Sequence, residues 1–172
     1  MIRRSHTSED GTRSEAVYSP CETYRYRLSR RWGGPDTLLW IMLNPSTADE
    51  TRNDPTIERC ARRAQALGFG GFDVVNLFAF RATAPRDLRR AAEPEGAENA
   101  AIVLQAAKAA DMVLCGWGVH GGHLAAGPAM AGNLRDAEVT LHHLGLTKGG
   151  HPRHPLYVGY AVQPQLWAAE RG

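Results

Sequence analysis

The chain has 172 residues, 43% of them hydrophobic, enough for one domain with a full core and no need of disulfide or metal staples. Twenty Lys and Arg against eighteen Asp and Glu leave a net charge of +2, too small to announce a nucleic-acid partner by electrostatics alone. Three separated cysteines, Cys21, Cys60 and Cys115, exclude a disulfide framework and a CxxC metal pattern; with a polar start lacking a signal-like apolar core and no apolar run of the roughly eighteen residues a span requires, they point to a cytoplasmic protein.

Residues 1–15 lack periodicity and read as a flexible segment ahead of a single domain over 16–172. Between Ala16 and Arg30 an alternation sets Tyr24, Tyr26 and Leu28 against Thr23, Arg25 and Arg27, which predicts a half-exposed antiparallel strand. Trp32 to Asp36 is a turn. Leu38 to Leu43 is an unbroken apolar run, the mark of a strand buried on both faces. Asn44-Pro45 stops it and leaves Asn44, Ser46, Thr47 and Asp49 at the strand's end. Asp54-Pro55 with Glu58 starts a helix, Ile57, Cys60, Ala61, Ala64 and Leu67 form its apolar stripe, and Gly68 ends it. Its Arg59, Arg62 and Arg63 read as a solvated face.

A second buried strand spans Phe72 to Phe80, interrupted by Asn76, whose amide must find partners or cost stability. Arg86 to Glu95 reads as loop or short turn. Glu98 to Ala110 is helical, Asp111 to Gly118 a third strand, Gly122 to Arg135 a helix interrupted at Gly127-Pro128, and Glu138 to Leu144 a fourth strand. Lys148 to Tyr157 is a glycine–proline loop, and Gln163 to Glu170 a final helix candidate. Strands alternating with helices predict an α/β three-layer sandwich: a central, mainly parallel four-stranded sheet plus the N-terminal antiparallel strand.

In such a sheet, ligands bind at the carboxyl edge. Four polar turns fall there: Asn44–Asp49, Asn76 with Arg81, Gly116–His120, and His151–Tyr157. No dinucleotide or Walker glycine pattern is present, and no Gly-x-Ser-x-Gly elbow. The pairs His120/His123 and His151/His154 lie in glycine-rich loops without a carboxylate at ligand spacing, so they do not read as a metal site.

The stretches Leu43-Asn44-Pro45-Ser46-Thr47-Ala48-Asp49, Val74-Val75-Asn76-Leu77-Phe78-Ala79, Gly116-Trp117-Gly118 and His154-Pro155-Leu156-Tyr157 resemble a bacterial and phage domain family of unknown function, over about residues 20 to 168. In the same order they also resemble, more distantly, the uracil-DNA glycosylase superfamily. That resemblance implies hydrolysis of the N-glycosidic bond of uracil or a modified pyrimidine, without a cofactor. It implies Asn44 as the residue positioning water and Asn76 as the reader of the base. A His-Pro loop residue supports the departing base; the doubled His-Pro leaves His151 and His154 as candidates, and Leu156 at the wedge position favours His154. Asp49 is the candidate carboxylate. Pro45, Ser46, Phe78, Trp117 and His151 complete the expected base pocket. Arg81, Gly150, Arg153, Leu156 and Tyr157 form the expected contact to DNA, single- or double-stranded, carrying an altered base. The expected protein is a monomer without a membrane partner. A hydrolase of nucleosides or nucleotides, or a module that binds altered bases without cutting, would use the same pocket.

Overall fold

The computed structural model describes residues 1–169. Its strands are β1 (Ile2–Thr7), β2 (Arg13–Tyr18), β3 (Arg25–Arg31), β4 (Thr37–Met42), β5 (Gly71–Asn76), β6 (Met112–Cys115), β7 (Leu141–His143) and β8 (Gln165–Leu166). Its helices are α1 (Pro55–Ala66), α2 (Pro85–Arg90), α3 (Asn99–Ala109) and α4 (Ala126–Asp136). All strands join one mixed eight-stranded sheet in the order β1-β2-β3-β5-β4-β6-β7-β8. The pairs β5/β4, β4/β6 and β6/β7 are parallel, and β1/β2, β2/β3, β3/β5 and β7/β8 are antiparallel. The sheet is thus larger than expected: the parallel strands are the middle of an eight-stranded sheet rather than a four-stranded core with one added strand.

Two additions account for the difference. Residues 1–15, expected to be mobile, lie largely in a hairpin whose register runs from Ile2↔Tyr18 to Thr7↔Arg13. Backbone pairing holds this polar outer strand, and charge on an edge strand guards against further pairing, so no apolar alternation marks it. At the far edge, part of the expected helix over 163–170 is instead β8, which pairs His142↔Leu166 and His143↔Gln165; Glu170 lies outside the described residues.

The double burial of β4 follows from its place between β5 and β6. Leu38, Trp40 and Met42 pack with Ile57, Cys60 and Ala64 of α1 on one face. Leu39 and Ile41 pack with Leu88, Val103, Ala106, Ala131 and Leu134 from α2, α3 and α4 on the other. The α1 stripe works as its sequence predicts. Asp54 caps the helix, its Oδ1 accepting the Ile57 N–H at 2.9 Å, and Pro55 opens it.

After β4 the chain crosses to β5 on one side, then returns past β4 to β6 on the other. The strand order reverses at β4. Such a switch point opens a crevice beyond the carboxyl ends of the neighbouring strands.

Candidate functional site

A cavity of about 730 Å³ occupies that crevice. Asn44, Pro45 and Ser46 enter it from the end of β4, Asn76 from the end of β5, Trp117 and Gly118 from the end of β6, and Arg153, His154, Leu156 and Tyr157 from the loop after β7. Gly116 lets that loop approach: a Cβ there would stand 3.0 Å from Pro155 Cδ and 3.2 Å from Met42 Sδ. The Gly118 N–H donates to Pro152 O at 2.8 Å, tying the third turn to the fourth. From the other side Arg59 donates to Pro155 O (3.1 Å) and Val158 O (2.6 Å), and Arg63 to Val158, Gly159 and Val162 oxygens. These arginines of α1, expected to be solvated, clamp the loop that carries His154.

Asn44 is oriented by its own amide. Its Nδ2 donates to Pro45 O at 3.0 Å and Ala82 O at 2.8 Å. An aspartate there would set a carboxylate against two carbonyl oxygens, so the position requires the amide, and Oδ1 is left to serve the cavity as an acceptor.

Asn76 is the opposite case. It is 1% exposed, lines the cavity, and neither Oδ1 nor Nδ2 has a hydrogen-bond partner among the described residues. An orphaned buried amide costs about 1–3 kcal/mol. Asn99, equally buried, is half satisfied: its Nδ2 donates to the carbonyls of Asn76 and Leu77 while its Oδ1 has no partner among the described residues, whereas Asn76 has neither atom paired.

His154 caps the 3-10 turn over Pro155–Tyr157, its Nδ1 accepting the Leu156 N–H at 3.2 Å. Burial holds its pKa below the ordinary 6.5, against an opposing pull from Asp54. Neutral His154 with Nδ1 accepting must carry its proton on Nε2, so it offers the cavity a donor. Ser46 Oγ donates to Thr83 Oγ1 at 3.5 Å within the same wall. Trp117 closes the wall, its ring packed under Gly121 and Gly127 and 5.6 Å from Trp167.

A family model described as Protein of unknown function (DUF1643) matches residues 25–156. The chain belongs to this family. No curated protein and no solved structure matches the chain. The DUF1643 span begins at Arg25 and ends at Leu156, and every residue lining the cavity except Tyr157 falls inside it. The hairpin β1–β2 and the edge strand β8 lie outside it.

Several residues expected at the site of this DUF1643 chain stand elsewhere. Asp49 does not line the cavity; its Oδ1 accepts from Thr51 N, Thr51 Oγ1 and Arg52 N, closing a turn. Burial works to raise its pKa, but those hydrogen bonds prevail and keep it below the ordinary range. Phe78 packs with Leu77, Leu88 and Val103 on the α3 face, because β5 ends at Asn76 and the strand alternation no longer applies. His151 is off the cavity wall, beside Gly122 and Gly149, which assigns the cavity to His154. Arg81 donates to Glu22 O and stacks on Tyr18, and Gly150 sits in a turn at φ +82°, so neither reaches the cavity.

Two further residues reach the cavity, one without a sequence signal and one from the third polar turn. Arg25 lines it, although its strand was expected to expose it. A bulge in the β2–β3 pairing, where Val17↔Arg27 is followed by Tyr18↔Arg25, puts Arg25 rather than Tyr26 on the face of Leu28. His120 also lines the cavity, its Nδ1 3.1 Å from Arg89 Nη2. Among the described residues no group of three His, Cys, Asp or Glu could hold a metal ion, and no helix is long and apolar enough to cross a membrane.

Proposed function

We propose that this cavity binds a nucleobase and that the protein hydrolyses the N-glycosidic bond of uracil or a modified pyrimidine in DNA. The observation that carries the reading is Asn76, a buried amide in the wall of an otherwise largely apolar cavity whose donor and acceptor both lack a partner among the described residues. A base edge presents the complementary pair.

The bond from C1′ to the base nitrogen breaks as water adds its oxygen to C1′. The base departs with the bonding pair, and the water's proton passes to solvent. Asn44 Oδ1 accepts a hydrogen bond from that water and aims it; an amide cannot take the proton at neutral pH. His154 Nε2–H donates to the base oxygen on which charge grows, an interaction strongest in the transition state. Leu156 and Tyr157, the latter 74% exposed at the rim, suit the gap left when a base turns out of its stack. Arg153 stands beside them as a phosphate contact. The ordered motifs resembling the uracil-DNA glycosylase superfamily agree with this chemistry.

A second reading, hydrolysis of free nucleosides or nucleotides, draws support from the engagement of Arg81 inside the protein, which thins the basic rim a DNA strand would need. Labelled oligonucleotides carrying uracil, hydroxymethyluracil, hypoxanthine or a mismatched thymine, treated with protein and then alkali, test the choice. Scission that Asn44→Ala abolishes supports the DNA reading. Base release from nucleosides alone supports the second. Tight binding of the oligonucleotide without scission means a binding module.

A further inference from the structure

Arg25 belongs to no motif, yet it is the residue of the cavity wall whose burial is hardest to explain by packing. It is 2% exposed. Its Nη1 donates to Ala48 O at 2.7 Å, its Nε has no partner among the described residues, and none of the ion pairs there includes it. Asp54 lines the same cavity, but its oxygens accept from Ile57 N and Ala48 N. A buried guanidinium so thinly partnered is costly unless something else uses its donors. Its backbone N–H donates to Ala79 O, which sets it beside the end of β5 that carries Asn76.

Asn76 alone cannot choose a base. Turning its amide over exchanges donor and acceptor, so it serves the N3–H and carbonyl of uracil or the N3 and amino group of cytosine equally well. No hydrogen bond to the protein fixes which way it faces. Arg25 breaks the tie, because a guanidinium only donates. We infer that Arg25 is the specificity-determining residue of the cavity, selecting oxo bases, whose edge presents carbonyl oxygens, over amino bases. The inference rests on the base-binding reading above. The apolar neighbours Met42, Val74 and Ile57, together with the Asp54 carboxylate, suit a neutral carbonyl better than a phosphate.

Calorimetric titration of the whole chain with free uracil, hypoxanthine, cytosine, adenine and inorganic phosphate tests it. Uracil and hypoxanthine should bind at least about tenfold more tightly than cytosine and adenine, since an amino group would face donors and leave them unpaired. Arg25→Gln, which offers both a donor and an acceptor, should bring the paired affinities to within about threefold of each other. Should Arg25→Gln fail to fold, the wild-type ratio and Arg25→Lys, which keeps a donor-only cation and the oxo preference, decide. Equal binding of oxo and amino bases by the wild type, or a preference that survives in Arg25→Gln, overturns the inference and leaves base binding standing. Phosphate binding that Arg25→Gln abolishes also overturns it, assigning Arg25 to an anion. No binding of any base overturns the base-binding reading and this inference together.

Discussion

Replacing Asn76 with leucine should make the protein more stable and inactive. The side chain is 1% exposed and neither amide atom is paired with the protein. Burial of an amide without hydrogen bonds costs about 1–3 kcal/mol, and an apolar side chain of similar size removes that cost. Leucine has the same number of side-chain heavy atoms as asparagine, and the adjoining cavity gives its slightly larger methyl groups room, so overpacking adds little. For a chain of this size each kcal/mol moves Tm by roughly 2–4 °C, so Asn76→Leu should raise Tm by about 2–12 °C. Asn99→Leu is the control: it deprives the Asn76 and Leu77 carbonyls of their donor and should lower stability by about 2–3 kcal/mol. Calorimetric scans of wild type and both variants supply the measurement. A clear fall in Tm for Asn76→Leu would show that the amide is structural and not held for a ligand.

Three further outcomes follow from the same geometry. His154 and His143 both have pKa values held below the ordinary 6.5 by burial, with His142 adding to the shift at His143 and Asp54 opposing it at His154; the folded state therefore binds fewer protons than the unfolded. Their contribution is present above pH 6.5 and lost as pH falls through the folded values, so Tm should drop on acidification and drop less in His154→Gln, as scans against pH will show. Arg63→Met removes the donors to three loop carbonyls and should cost about 2–4 kcal/mol, with faster hydrogen exchange over residues 154–162; unchanged exchange there would mean that the clamp is idle. Cys21, exposed with its pKa lowered to about 7 mainly by hydrogen bonds from Ser19 and Thr23, should react with a thiol reagent at neutral pH, while burial pushes Cys60 and Cys115 far up and protects them; release of more than one equivalent from the folded chain counts against this.

The sequence made legible what burial dictates. The apolar run of β4, the Asn-Pro stop, the Asp54 cap and the α1 stripe all stand where periodicity and capping chemistry set them. That the turns carrying Asn44, Asn76, Trp117 and His154 converge followed from strand ends, while the choice of residues within those turns came from the superfamily resemblance. Residues fixed by backbone pairing or local irregularity were hidden. Polar β1 is held by its ladder and by the ion pairs Arg3–Glu15 and Arg4–Glu22, none of which leaves an apolar alternation. Arg25 reaches the cavity through a bulge that reverses the strand's parity, which no alternation can foretell. Phe78 leaves the cavity face because β5 ends two residues before it. Asp49, plausible as a base by type, is consumed by its own turn.

Under the proposed function, Asn76, Asn44 and His154 act on a base bound in the switch-point cavity. The rate of free base release from a uracil-containing single strand, in single turnover, tests it most directly. Wild type should release uracil, His154→Gln should do so at least about tenfold more slowly, and Asn76→Leu, folded and more stable, should release none. Release by Asn76→Leu at the wild-type rate would contradict the claim, as would the absence of release and of binding by the wild type.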